Sequence, residues 1–393
     1  MTAHDTLNHV TDPDDHEFPA GFGVNVIGFV TNRIGIGVAA RITIAALLEA
    51  GVPVAVAEAP LRHRGSGSDL TYSALQIRNK RRLPYPVTLV HMNPVEAGWV
   101  RRIRPHWFRQ ECTFSVPFWE LSELQKRWIP RLSRYDAVLA PTEYIASAIR
   151  RDVSVPVHRF PIAANAPTVA PIHRSEFGIP DDRFAFVSGW DASSGRERKG
   201  GLLVLRAFEM LLSRGVDATM VIKLNGSRHP QELDATLSRL PRERVVVISE
   251  HLPYERVLGL YAACDAYVSL HRAEGLGLGL QEAMLLGIPV IATGWSGNMD
   301  FMDKSSAALV GYTMTPVVDD QREYAPRLFA RPQFWAEPDL TDAADQMERL
   351  AANPELRAAL GAAGREHVMR YRETWTQTAP RLLAGLYREH LAR

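Results

Sequence analysis

Short apolar runs alternate with longer amphipathic stretches from Val24 almost to the carboxyl terminus. That alternation predicts repeated βαβ units, because parallel strands need a long crossover, usually a helix, to return to the same sheet. The first unit is the plainest. "VNVIGFV" (Val24–Val30) reads as a buried strand, "TNRIGIG" as a turn, and "VAARITIAALLEAG" as a helix closed by Gly51 in the left-handed conformation. "VPVAVAEA", "PVTLVHM", "CTFSVPF" and "DAVLAPT" continue the strand series, and "EYIASAIRR" supplies a further helix.

A second series opens with "FAFVSGW" (Phe184–Trp190) and runs through "ATMVIKLNG", "RVVVIS", "DAYVSLH" and "IPVIAT", each followed by a helix-like stretch. Between the two series, Pro161–Asp182 is rich in Pro and Ala and shows neither period, so it reads as a linker. The chain from Asp339 reads as helical, with breaks near Pro354 and Tyr371. The expected fold class is therefore α/β, with two doubly wound Rossmann-like domains facing a cleft. Residues 1–20 are expected to form a disordered tail, 21–165 the amino-terminal domain, and 166–370 the carboxyl-terminal domain. Residues 371–393 are expected to form a helix packing back on the first domain. In such sheets ligands bind outside the carboxyl ends of the strands.

A chain of 393 residues exceeds one typical core, in keeping with two domains. It is 46% hydrophobic and 23% charged, which excludes wholesale disorder, and its net charge of +1 gives no bulk field for nucleic acid. Cys112 and Cys264 are the only cysteines, too few for a disulfide framework. The first twenty residues lack the apolar core of a signal peptide, and no apolar run reaches the roughly 18 residues of a bilayer span. A cytoplasmic location is expected.

The candidate chemistry centres on "RAEGLGLGLQEAMLLGIPVIATGWSGN" (Arg272–Asn298). Glycines 275, 277 and 279 remove Cβ atoms where a strand passes into a helix, and that helix start favours an anion through its free N–H groups and dipole. Glu274 and Glu282 flank the turn. Carboxylates are poor phosphate ligands but good acceptors for sugar hydroxyls on either side of a diphosphate. "FVSGWDASSGRERKGG" places Arg196, Arg198 and Lys199 in a loop after the first strand of the second series, where cations can neutralise a leaving diphosphate. Each feature also has a bland reading, a tight packing turn or a solvated charged loop.

Glu274…Glu282 within "EGLGLGLQEAMLLGIPVIAT", with "WSGNMDFM" after it, resembles the donor site of retaining family 4 glycosyltransferases of the GT-B fold, bacterial mannosyltransferase-like members included. The resemblance extends through "GVNVIGFVTNRIGIG", "PFWELSE", "DAVLAPTEYIASAI" and "AEPDLTDAADQMERL". It implies a nucleotide-diphosphate sugar as donor, GDP-mannose favoured with a UDP- or dTDP-sugar as the alternative, and a glycan, lipid-linked or natural-product hydroxyl as acceptor. It implies that Glu274 holds hydroxyls of the transferred sugar, Glu282 the nucleotide ribose, and the backbone from Gly275 through Leu276 and Gly277 to Leu278 the sugar and phosphate. Lys199 matches the diphosphate lysine. Arg196 and Arg198 compete for the arginine role, because the loop is longer than the family's usual spacing. Gly35 and Gly37 match a turn that approaches donor phosphate and acceptor, although a glycine pair there also serves a merely tight turn.

His91 ends a strand and reads either as a ligand to sugar or acceptor or as a satisfied structural histidine. Glu120, in "PFWELSE", reads as a site residue or as an acid in the first turn of a helix. No nucleophile–base pair and no clustered metal ligands stand out, so neither metal nor cofactor is expected. Two basic runs, "RNKRR" (Arg78–Arg82) and Arg101–Arg109, the second interleaved with Ile103, Trp107 and Phe108, suggest peripheral contact with anionic lipid or simply a solvated face. The competing readings are an NAD-dependent oxidoreductase, weakened by the lack of a clean G-x-G-x-x-G and by an unconvincing Glu58, and a non-catalytic sugar-nucleotide-binding protein.

Overall fold

The computed structural model describes residues 18–60, 69–77, 82–165, 169–170, 172–191, 195–225, 231–318, 324 and 326–393. The first series becomes β1 (Val24–Gly28), α1 (Gly35–Glu49), β2 (Val54–Glu58), β3 (Val87–His91), α2 (Pro94–Ile103) and β4 (Cys112–Ser115), then α3 (Ile129–Leu132), β5 (Ala137–Ala140), α4 (Glu143–Arg150) and β6 (Val157–Arg159). The second comprises β7 (Phe184–Asp191), α5 (Arg196–Lys199), α6 (Gly201–Ser213), β8 (Ala218–Asn225), α7 (Gln231–Leu237) and β9 (Val245–Ile248), and then α8 (Tyr254–Ala262), β10 (Ala266–Ser269), α9 (Leu278–Leu285), β11 (Val290–Thr293) and β12 (Ala308–Val310). A two-stranded antiparallel ribbon, β13 (Tyr312–Pro316) and β14 (Phe334–Pro338), precedes α10 (Leu340–Ala352) and α11 (Pro354–Leu391).

Two six-stranded sheets result, in the orders β2-β1-β3-β4-β5-β6 and β12-β11-β10-β7-β8-β9. In the first, β1 lies parallel to β2 and β3, with Gly28 opposite both Glu58 and His91. In the second, the chain runs outward from β7 to β9 and then returns to β10 on the other side of β7. The neighbours β7 and β10 thus flank a topological switch point, where a crevice opens at the strands' carboxyl ends. Alternate residues of this sheet feed two cores. Phe186, Ile222 and Val268 pack with α6 and α10, while Val187, Val221 and Tyr267 pack with α8, α9 and Val368. Burial on both faces explains why the strands read as continuous apolar runs.

By contact, Met1–His91, Ala97–Phe114 and Thr376–Arg393 form one compact unit, and Met92–Glu96 with Ser115–Trp375 the other. Within the first, the Tyr387 hydroxyl donates to Glu111 Oε2 at 3.0 Å and its ring lies 6.0 Å from that of Phe22. Glu58 accepts from Thr31 N at 3.0 Å, Thr31 Oγ1 at 2.9 Å and Asn32 Nδ2 at 3.2 Å, so its carboxylate serves the turn after β1. Among the described residues no helix is long and apolar enough to cross a membrane.

Several expectations are corrected. The break near Tyr371 is absent: α11 is continuous, because Tyr371 packs its ring 5.9 Å from Phe301 and nothing there interrupts the helical hydrogen bonds. Pro161–Asp182 is not a free tether in its described part, since Ile172, Phe177 and Ile179 join a core cluster and Arg174 pairs with Asp265 at 2.7 Å. Trp107 and Phe108 are buried, with the Arg101 guanidinium 4.4 Å from the Phe108 ring centre, so this stretch presents arginines without aromatic anchors. Of "RNKRR", residues 78–81 lie outside the described residues, as do residues 1–17 of the expected tail.

Two of the three glycines of helix α11 have opposite surroundings. A Cβ on Gly361 would stand 2.2 Å from the carbonyl oxygen of Gly287, whereas a Cβ on Gly385 meets nothing within 4 Å. Gly385→Ala is therefore expected to stabilise by about 0.5–1 kcal/mol through helix propensity. Gly361→Ala is expected to destabilise by about 1–3 kcal/mol through overpacking. Thermal melts of both variants check the opposite signs.

Candidate functional site

The site grows from the switch point. Strand β7 leads to α5, a single turn that starts at Gly195 (φ +58°) and ends at Gly200 (φ +65°). A Cβ on Gly200 would lie 1.9 Å from the Leu270 carbonyl oxygen. Only glycine permits both the left-handed backbone and this approach to the end of β10. The arginine–lysine segment, expected as a flexible loop, is thus a helical turn set against its neighbouring strand. Arg272 N fixes it by donating to Arg198 O at 2.7 Å.

That placement brings Arg198 and Lys199 to Glu274. The Lys199 ammonium hydrogen-bonds Glu274 Oε1, and Arg198 Nη1 lies 3.5 Å from the same oxygen. Arg198 Nη1 also donates to Ala273 O at 2.9 Å, and its Nη2 lies 3.8 Å from Glu120 Oε1. Arg198 and Glu274 are only 6% and 8% exposed, so both charges operate largely away from water. Burial by itself pushes the Glu274 pKa up, but the Lys199 and Arg198 cations outweigh it and hold the carboxyl at about 2. Of Arg196, only the backbone belongs to the described structure, and its side chain lies outside it.

The loop around Glu274 is held from both sides. Glu274 N donates to Ser296 Oγ at 2.7 Å and Gly297 N donates to Glu274 O at 2.8 Å. Ser296 has φ +81° and ψ −149°, a backbone conformation that a side chain disfavours. A Cβ on Gly297 would lie 2.1 Å from Gly275 O, and one on Gly275 would lie 2.6 Å from Trp119 O. Thr142 Oγ1 donates to Gly275 O at 2.9 Å. Such close backbone packing explains the glycine density better than loop flexibility does.

His271 is fully buried beside this loop. Its Nε2 sits 3.0 Å from Asn298 Oδ1 and 3.3 Å from Trp295 O, and its Nδ1 sits 3.0 Å from Ser269 Oγ. The Asn298 amide nitrogen donates to Thr293 O at 3.0 Å, which turns Oδ1 toward the imidazole. Two acceptors at Nε2 require the proton there, leaving Nδ1 to accept from Ser269. Burial lowers the pKa of His271, so the ring is a neutral donor. Sequence reasoning does not single out His271, Ser296 or Asn298. A signal for His271 exists all the same, because it comes just after β10 much as His91 ends β3.

Glu282 lies within α9, and Gly277, which caps that helix from just before its start, takes φ +74°. Leu276 is buried and Leu278 starts the helix, so Gly275–Leu278 form the bend between Glu274 and the helix that bears Glu282. Burial raises the Glu282 pKa to about 7, against a hydrogen bond from the Tyr254 hydroxyl at 2.7 Å. The two glutamates of one motif therefore sit in opposite electrostatic surroundings. Cations surround one, while the other faces a neutral hydroxyl.

The remaining candidates divide between packing and the site. Gly35 and Gly37 lie in the first turn of α1 rather than before it. A Cβ on Gly37 would come 2.4 Å from Asn32 O and 2.5 Å from Phe29 O, while Gly35 has open space. His91 is fully buried at the end of β3, and desolvation lowers its pKa to about 3, so it is neutral. Glu120 lies in a loop, not in the first turn of a helix. It accepts at Oε2 from the Tyr324 hydroxyl at 3.1 Å, and its carbonyl accepts from the Tyr144 hydroxyl at 3.2 Å. Among the described residues no group of three or more His, Cys, Asp or Glu is arranged to hold a metal ion.

Known proteins share both the segment and the fold. Residues 173–317 match the family described as "Glycosyl transferases group 1". A 196-residue stretch, 48% of this chain, is 26% identical to a D-inositol 3-phosphate glycosyltransferase of Corynebacterium urealyticum, of which it spans 40%. The fold is similar to sucrose-phosphate synthase of Thermosynechococcus elongatus, with a TM-score of 0.63 and 17% identity over 94% of this chain and 99% of that one. It is also similar to Anabaena Alr3699/HepE, solved in complex with UDP and glucose, with a TM-score of 0.59 and 14% identity over 92% and 99% of the two chains. With two parallel six-stranded sheets the chain has the GT-B fold, and its residues 173–317 are similar to the group 1 glycosyltransferase family.

Proposed function

We propose that the protein is a retaining glycosyltransferase that moves a hexose from a nucleotide-diphosphate sugar to a hydroxyl of a glycan, glycolipid or natural-product acceptor. The observation behind this reading is the meeting of Lys199 and Arg198 with Glu274 at the β7–β10 switch point, inside the segment matching the group 1 family. The neighbour solved with UDP and glucose supports a nucleotide-sugar donor. The resemblance of Trp295–Met302 to mannose-handling members favours GDP-mannose.

In the proposed cycle the donor diphosphate takes Lys199 from Glu274 and shares Arg198. Those cations stabilise the charge that grows on the leaving diphosphate as the glycosidic bond breaks. Glu274, released from Lys199 yet still ionised, accepts hydrogen bonds from hydroxyls of the hexose. Glu282 accepts from the ribose. Departing phosphate oxygen takes the proton of the acceptor hydroxyl as that hydroxyl attacks the same face of the sugar. Orientation and charge stabilisation then carry the catalysis, with no protein nucleophile and no metal.

A panel of UDP-, GDP- and dTDP-hexoses, read by thermal shift and by release of nucleoside diphosphate, tests the reading. At least one donor should raise the melting temperature and be turned over. Nicotinamide cofactor binding without sugar-nucleotide binding would overturn it, and donor binding with neither hydrolysis nor transfer would make the protein a sensor. Lys199→Ala and Glu274→Ala should each lower turnover by roughly 100-fold or more while remaining folded. Near-wild-type rates in either would remove that residue from the scheme. Prior treatment with EDTA should leave the rate unchanged, and a rate lost to the chelator and restored by magnesium would count against metal independence.

Glu282 gives a pH-linked prediction. Its folded pKa of about 7 lies above the ordinary carboxyl value, so the stability it contributes is present in full at acid pH, below the unfolded pKa. That contribution is lost as pH rises and is gone above about 7, a penalty of roughly 3 kcal/mol at pH 8. Glu282→Gln should therefore melt higher than wild type at pH 8, with the gap closing toward pH 4.5. The same substitution should weaken nucleotide binding at pH 8, and wild-type affinity should rise through pH 7 as the carboxylate forms. A variant less stable than wild type at pH 8 would contradict the assignment.

A further inference from the structure

The ribbon β13–β14 is attached to the diphosphate cations at two independent places, and the proposed donor scheme uses neither. The first is Arg272, between His271 and Ala273. Its Nη1 donates to Glu197 O at 2.5 Å, and its backbone N donates to Arg198 O at 2.7 Å, so it grips two successive carbonyls of α5. Its Nε and Nη2 make a two-pronged pair with Glu337 of β14, the latter bond being 2.8 Å. The guanidinium lies 5.2 Å from the Trp335 ring centre, and Ala336 N donates to Arg272 O at 3.0 Å. The second attachment is Tyr324, from the connection between β13 and β14. Its hydroxyl donates to Glu120 Oε2, and Glu120 Oε1 faces Arg198.

Helix α5 is a single turn of four residues between two left-handed glycines, so its own hydrogen bonds hold it weakly. A planar guanidinium with five donors can lock three partners at fixed angles, which an ammonium cannot. We propose that Arg272 is a positioning residue that, braced by Glu337 and Trp335 of the ribbon, sets α5 so that Arg198 and Lys199 converge on a diphosphate, with Tyr324 steadying Arg198 from the other side through Glu120. The inference rests on the proposed donor reading and deepens it. The ribbon contributes no group to the ligand itself, and its effect falls on the recognition of the second phosphate.

Comparison of nucleoside diphosphate with monophosphate isolates that effect, because both share the base, ribose and first phosphate. Calorimetric titration of wild type with UDP and UMP, GDP and GMP, and dTDP and dTMP identifies the base and the diphosphate-to-monophosphate affinity ratio. In Arg272→Ala that ratio should fall about tenfold while monophosphate affinity changes less than twofold. Arg272→Lys should fail to restore it, since charge without the fork cannot hold α5. Glu337→Gln and Tyr324→Phe, milder changes that keep the scaffold, should each lower the ratio about threefold and serve if Arg272→Ala does not fold. An unchanged ratio in the folded Arg272 or Glu337 variants would overturn the positioning role, as would an equal loss of both ligands. If wild type binds none of the six nucleotides, the donor reading itself fails and takes this inference with it.

Discussion

Lys199 and Arg198 reach Glu274 because two strands that are far apart in sequence are neighbours in the sheet. Strand β7 ends at Asp191 and β10 at Ser269, and the segments that leave their carboxyl ends meet across the switch point. The contact depends on one backbone approach, Gly200 against Leu270 O, which a side chain would block. That approach brings the Lys199 and Arg198 cations to Glu274 and so sets the ion pair and the depressed pKa of Glu274. A buried pair of this kind is weak evidence for stability, since desolvation offsets much of the attraction. Its presence at a strand-end crevice instead favours a role in binding.

The surroundings of this pair are built for rigidity. Ser296 accepts an unfavourable backbone conformation in order to receive the Glu274 N–H. Asn298 orients His271, and His271 remains neutral beside an ionised glutamate. Groups that stabilise charge developing during a reaction act best when they need not reorganise. Glu282 shows the opposite policy, a buried carboxylate hydrogen-bonded by a neutral hydroxyl at a cost in stability above neutral pH. Strain and incomplete satisfaction concentrated at one crevice are what a ligand-binding surface leaves behind in an otherwise well-packed domain.

The glycines of the Glu274 segment are legible in sequence as sites of close approach, but the object approached is not. Gly275 and Gly297 are required by protein backbone, namely Trp119 O and Gly275 O, whatever a ligand later adds. Gly37 likewise makes room for two carbonyls. A sequence read alone assigns such glycines to phosphate because local pattern cannot tell a ligand from a neighbouring strand. The ribbon β13–β14 is hidden for a related reason. It is short, half exposed and mixed in polarity, so it has neither the continuous apolar run of a buried strand nor a tight turn to mark a hairpin.

By itself the sequence determined five strands of each large sheet, their parallel arrangement and the glycine-flanked glutamate motif, since each is written in local period and composition, whereas the edge strands β6 and β12 were not legible. It also placed cations after β7 and an acid after β10 as separate facts. Only the tertiary structure decided that these belong together, that Arg198 is buried between two carboxylates, and that Glu274 and Glu282 titrate in opposite directions. Charge state depends on distance and on exclusion of water. Both are set by contacts among residues far apart along the chain, and no local pattern encodes them.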